Sequence, residues 1–199
     1  MFQKIPIYET IHEMVNTLDN KRKKLFIYML LNRQKNVYDF LAENKIWDRR
    51  EEVNHIFQIY LKCILEDKYF PEKVIIEIVD YNPENIGWEE NEDNIMGYMI
   101  TFMDNVWVFA NQLTDEGSKE PFYSRFNYDF LDGFIDEMYD SSQPLLETDI
   151  MKLEIEREIR DYEMLKNMKY IDCERLTKSE EMLIDQKAIK QFNEPARRD

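Results

Sequence analysis

Glycine occurs four times and proline six times in this chain of 199 residues. That leaves little room for the many tight turns of an all-β fold. Cysteine is scarcer still. Cys63 and Cys173 are too few and too far apart to form a disulfide framework, and they read as reduced thiols of a cytosolic protein. The N-terminal MFQKIPIYETIHEM lacks the apolar core of a signal peptide, so a cytoplasmic location is expected. No long apolar run is free of polar residues. The most apolar stretch, Ile95 to Leu113, carries Asp104, Asn105, Asn111 and Gln112, which favours a buried helix over a membrane span. Neither a Gly-x-Ser-x-Gly nor a glycine-rich phosphate loop is present. Nor is there a basic stripe of the kind that binds nucleic acid. The cluster Lys21, Arg22, Lys23 and Lys24 reads as the solvated start of a helix.

With 44% apolar and 14% aromatic residues, the chain can bury a substantial core. Helical periodicity dominates it. The expected architecture is all-α: one domain over residues 1–192, a bundle of about eight helices around a central apolar helix at 92–113, and a flexible tail at 193–199. Pro6 to Asn16 is a short helix, and Asp19 or Asn20 caps a second that runs to Leu31. A third spans Val37 to Asn44. Asp48 caps a fourth, to about Glu66. Pro71 suits the first turn of a helix holding the β-branched Val74, Ile75, Ile76, Ile78 and Val79. Ser124 caps a helix that includes Leu131. Pro144 or Thr148 starts one that ends near Met168, with apolar residues on two sides, and Thr177 to Phe192 is the last. One apolar side of the 148–168 helix could serve a homodimer, although packing between the bundle and the last helix accounts for both.

The net charge of −15 is unevenly placed. Val74 to Met151 holds Lys119 and Arg125 against 18 acidic residues, while the flanking regions are close to neutral. A segregated charge implies a directed field and a cationic partner. Two features concentrate it. Asp129, Asp132, Asp136 and Asp140, with Glu137 beside them, form a carboxylate ridge opposite Leu131, Phe134, Ile135 and Met138. Like charges three or four apart on a helix repel by a few tenths of a kcal/mol per pair, so the ridge calls for a reason beyond solvation. The loop Tyr81 to Asn94 sets Trp88 among Glu84, Glu89, Glu90, Glu92 and Asp93. An exposed tryptophan ringed by carboxylates has the composition of an interface anchor.

The two histidines each close a Glu-x-x-His, Glu9 to His12 and Glu52 to His55. Di-metal helical bundles use such pairs, with the ligands pointing into the core. Here both pairs fall away from the apolar stripes of their helices, so no metal and no cofactor is expected. Cys63 lies within a helix, where a packed thiol is the default. Cys173, beside Asp172 and Glu174, would have its thiolate disfavoured.

The segment LFIYMLLNRQKNVYDFLAENKIWD, followed by a helix ending in IFQIYLKCIL, resembles the YjaG-like family, a bacterial domain of unknown function. Arg33, Tyr38 and Trp47 take the places of that family's helix-terminal Arg, its nearby Tyr and the aromatic at the turn before the next helix. LEIEREIRDYEML resembles its late helix. The chain departs from the pattern at Asn36-Val37, where the family has Pro-Asn. The resemblance implies an all-helical fold and carries no known activity. The segregated charge sets the function expected, which is non-enzymatic: an acidic immunity protein that inhibits a basic nuclease toxin. A phage or mobile-element DNA mimic that blocks a host nuclease is the nearest alternative. A scaffold protein without an inhibitory role is a third option, and a metal-dependent helical enzyme using Glu9, His12, Glu52 and His55 stands further off.

Overall fold

The computed structural model describes residues 6–42, 48–86, 94–117, 149–172 and 179–184, together with Phe126, Asn127, Leu131, Leu176 and Gln186. Among these residues every regular element is helical. They are α1 (Pro6–Asn16), α2 (Asn20–Ala42), α3 (Arg50–Glu66), α4 (Glu72–Asp80), a 3-10 turn (Pro83–Ile86), α5 (Asn94–Gln112) and α6 (Asp149–Asn167). The expected tail at 193–199 lies outside the described residues.

Local chemistry sets the helix ends. Asp19 caps α2 by accepting the Arg22 backbone N–H at 2.9 Å. Glu51 and Glu52 sit in the first turn of α3, where carboxylates favour the helix dipole. That helix stops at Asp67, whose left-handed backbone (φ 52°) returns its N–H to the Cys63 carbonyl. Pro71 precedes α4, and its carbonyl accepts the Val74 N–H at 3.0 Å. After α5 the chain turns tightly. A side chain at Gly117 would overlap the Asn111 carbonyl oxygen, so only glycine fits.

The structure departs from three of the expectations. Two helices were expected between Asn20 and Asn44, but α2 runs unbroken from Asn20 to Ala42. The polar run Asn32, Arg33, Gln34, Lys35, which looks like a loop, is buried inside the helix with internal partners. This lowers the helix count: six α-helices are described against about eight expected. Secondly, among the described helices α2 has the most neighbours, packing against α1, α3, α5 and α6, whereas α5 packs on α2, α4 and the 3-10 turn. Thirdly, residues 179–184 are not helical. They form a strap over α2: Asn32 and Asn36 donate side-chain N–H groups to the Ser179 carbonyl, Asn36 also to that of Glu181, and the Leu183 N–H reaches the Arg33 carbonyl.

The core is one contiguous apolar cluster drawn from all six helices. At its centre lies a chain of rings. Tyr38 stacks on Phe102 with centroids 5.0 Å apart, Phe57 meets both Phe102 and Tyr60, and Tyr60 touches Phe70 and Phe109. Each fully buried large side chain is worth roughly 1.5–3 kcal/mol of transfer free energy. The Tyr60 hydroxyl spends its polarity on the Val106 carbonyl at 2.5 Å. The basic cluster at the start of α2 is structural, contrary to its reading as a solvated end. Lys21 donates to the Leu65 carbonyl of α3, and Arg22 to the Leu165 and Met168 carbonyls at the end of α6. These cations satisfy the unpaired acceptors of two helix C-termini. No described helix is long and apolar enough to cross a membrane.

Candidate functional site

The acidic central segment is described in part, and that part is the α4–α5 layer. The two helices run antiparallel, fastened at one end by the Phe70 N–H on the Leu113 carbonyl and at the other by the Asn82 amide on Asp104. Val74, Ile75 and Ile78 pack into the cluster. Glu77, Asp80, Glu84, Asp104, Asp115 and Glu116 lie on this layer, all but Glu77 exposed, with no lysine or arginine among the described residues of 74–117. Three apolar side chains share the surface: Ile76 is 64% exposed, Trp107 42% and Val79 41%. Aliphatic and aromatic groups left in water beside carboxylates match the make-up of a protein-binding surface.

Of the residues expected to bind a partner, Glu84 is described and lies exposed at the 3-10 turn after α4, its N–H bonded to the Asn82 side chain. Trp88, Glu89, Glu90, Glu92, Asp93, Asp129, Asp132, Asp136, Glu137 and Asp140 lie outside the described residues. Trp107 did not stand out in the sequence, because its helix looks apolar on every side.

The Glu-x-x-His residues do not come together. Glu9 is exposed and His12 half-buried on α1, which packs on α2 and α6. Glu52 pairs with Arg49 at 2.9 Å on α3, and His55 is exposed. Glu51, Glu52, His55 and Glu77 border a shallow cleft of about 330 Å³. No group of three His, Cys, Asp or Glu suited to a metal ion occurs among the described residues.

The largest departure from the sequence reading is the α2–α6 junction. Spacing set Met151, Ile155, Ile159 and Tyr162 on one face of α6 and Ile150, Leu153, Met164 and Met168 on the other. The face that is buried is Met151, Glu154, Glu158, Asp161, Tyr162 and Leu165, while Leu153 and Ile159 are exposed. Arg33 is the reason. Its Nε and Nη2 donate to Glu154 Oε1 at 3.0 and 2.6 Å, and its Nη1 donates to Asp161 Oδ2 at 2.5 Å. Arg33, Glu154, Glu158 and Asp161 are each 2% exposed or less. Burial alone would lower the Arg33 pKa, but the charges of Glu154 and Asp161 reverse that and hold it above its ordinary value.

Neutral amides extend the network. Asn105 of α5 donates to Gln34, Gln34 to Asn127, and Asn127 to Glu154 Oε1, at 3.0, 2.8 and 2.5 Å. At the other end Arg160 reaches Asp161 and Glu181 of the strap. Met29, Arg33, Asp161, Met164 and Glu181 border a cleft of about 540 Å³ there. The Arg33 and Arg160 guanidiniums on its rim are already paired with Glu154, Asp161 and Glu181, so they hold the helices and the strap together. The sequence does carry a trace of it. Glu154, Glu158 and Asp161 follow a three-to-four spacing between Met151 and Leu165, the spacing of one helix face.

No family model, no curated protein and no solved structure matches the chain.

Proposed function

We propose that this protein acts by binding, and that it covers a basic surface of a protein partner with its acidic central segment. The observation that carries the reading is the α4–α5 layer. The segment that holds the excess negative charge also leaves Ile76, Val79 and Trp107 in water. Carboxylates steer a cationic partner into contact, and the apolar groups then supply contact area on desolvation. The partner is in concrete terms a nuclease toxin, whose phosphate-binding cleft is necessarily basic, and the protein its immunity factor in the cytoplasm. The loop around Trp88 and the ridge Asp129, Asp132, Asp136, Asp140 belong to the same proposed surface.

Kinship with the YjaG-like family forms part of the proposal, although Arg33 falls in the middle of α2 and not at a helix end as the resemblance implied. Arg33 anchors the α2–α6 junction. The Tyr38 hydroxyl accepts the Arg49 N–H at 3.1 Å, which pins the approach to α3. Trp47 lies outside the described residues.

The decisive experiment looks for a toxin reading frame beside the gene, adds purified protein to the nuclease it encodes and measures cleavage. Stoichiometric inhibition that weakens as salt rises is expected. Full nuclease activity at saturating protein, with no complex on gel filtration, overturns the reading.

A further inference from the structure

At the α2–α6 junction three buried carboxyls face one buried guanidinium. Arg33 satisfies Glu154 Oε1 and Asp161 Oδ2. Two oxygens stay unsatisfied: Glu154 Oε2 and Glu158 Oε2 are both buried and have no hydrogen-bond partner among the described residues. Arg157 approaches Glu154 Oε2 only to 3.6 Å. An orphaned buried acceptor costs roughly 1–3 kcal/mol, more if charged. Glu154 and Glu158 are four residues apart on α6, so their side chains are neighbours on one helix face. A proton on one of them removes one of the two buried like charges, as in other carboxyl pairs that cannot both ionise.

We propose that Glu154 and Glu158 hold one proton between them at neutral pH, and that its loss destabilises the α2–α6 junction, making this junction a base-sensitive latch. Glu158 is the member that carries the proton. Burial is the first cause and the Glu154 charge the second, with Asp161 adding to them. Arg33 opposes them, and the net effect leaves Glu158 well above the ordinary carboxyl range. Those are the charges that act on it from α6 and α2. Glu9, His12 and Glu13 of α1, and Glu180 and Glu181 of the strap, are not among them.

The sign follows from linkage. A carboxyl whose folded pKa is raised stabilises the fold fully below its unfolded pKa of about 4.3, and the benefit is lost as pH rises to the folded value. The test is urea unfolding of wild type and Glu158→Gln from about pH 5 to about pH 9. Glutamine keeps the donor and cannot ionise. The ratio of the variant's folding constant to that of wild type should climb with pH, by up to about tenfold per pH unit inside the window. A second measurement needs no stable variant. Infrared spectra of the wild type at neutral pH should show the C=O stretch of a buried carboxylic acid, and the band should disappear at high pH. A ratio that stays flat with pH, or a neutral-pH spectrum without that band, overturns the proposal.

Discussion

At the α2–α6 junction Glu154, Glu158 and Asp161 are buried while Leu153 of the same helix stands in water. On the α4–α5 layer Asp80 and Asp104 stand in water, and so do Ile76 and Trp107. Both regions are acidic and helical, and composition does not tell them apart. What differs is where the partner of the charge resides. Arg33 comes from within the chain, on a helix that four others surround, so the acids of α6 can turn inward and be neutralised. The described part of the central segment has no cation of its own, and apart from Glu77, which pairs with Lys73 of α4, the acids of the α4–α5 layer face solvent. The apolar side chains left beside them are the ones the proposed partner would cover. An internal counter-ion makes structure, and where it is missing the charge stays at the surface.

The largest test of that contrast removes the counter-ion. Arg33→Met strands two or more carboxyls in the core. Breaking a buried pair from one side costs about 3–5 kcal/mol, a large fraction of the whole stability of a typical domain. Urea unfolding should show most of the transition lost, or a chain that no longer unfolds cooperatively. A loss below about 1 kcal/mol, the range of an exposed pair, would show that the junction is wetter than its burial indicates.

Arg22→Ala comes next. Arg22 bonds the Leu165 and Met168 carbonyls and its own cap, Asp19. Hydrogen bonds from charged donors are worth about 1.5–3 kcal/mol each when well formed, and partial exposure reduces that. A loss of about 2 kcal/mol in thermal or urea unfolding is expected. An unchanged midpoint would return the LDNKRKK segment to the status of a solvated basic patch.

These two residues also mark the limit of what the sequence alone reveals. The all-helical class, the bounds of α1, the start of α4 near Pro71 and the stop of α3 near Glu66 were legible, because periodicity, Pro6 and Pro71 are local signals. The cap at Asp19 was legible for the same reason. The length of α2 was not. Asn32 to Lys35 breaks the apolar pattern; Lys35 pairs locally with Asp39, but the partners that let Asn32, Arg33 and Gln34 be buried come from the strap, α6, Asn127 and Asn105, all distant in sequence. The buried face of α6 was misread for a related reason: apolar spacing ranks Leu153 above Glu154 until Arg33 is known to stand opposite. The candidate surface was legible as a charge imbalance. Its described apolar members were not, because exposure of Trp107 depends on no other helix covering that side of α5.

Trp107→Ala separates the two regions by readout. A binding anchor should cost about 2 kcal/mol or more in affinity for the basic partner, while Ile76→Ser, at a still more exposed site, should change stability by no more than about 0.5 kcal/mol. Calorimetry with the partner and urea unfolding of the free protein give the two numbers. A stability loss in Trp107→Ala as large as its affinity loss would assign the indole to the core of the α4–α5 layer.

The smallest effect tests the field itself. Asp80 and Glu84 are exposed, and no described lysine or arginine pairs with either. Replacing them with Asn and Gln should leave unfolding within about 0.5 kcal/mol of wild type, since exposed charges contribute little to stability. Association is different, because steering depends on the summed potential and is screened over roughly 8–10 Å at moderate salt. The double variant should bind its partner more slowly at low salt and at nearly the wild-type rate at high salt, with dissociation little changed. Stopped-flow association rates across ionic strength measure this directly. Equal salt dependence for the two proteins would mean that the partner docks elsewhere, on the Trp88 loop or the Asp132–Asp136 ridge. The same measurement on Asp132→Asn with Asp136→Asn would then decide between those and a surface with no partner at all.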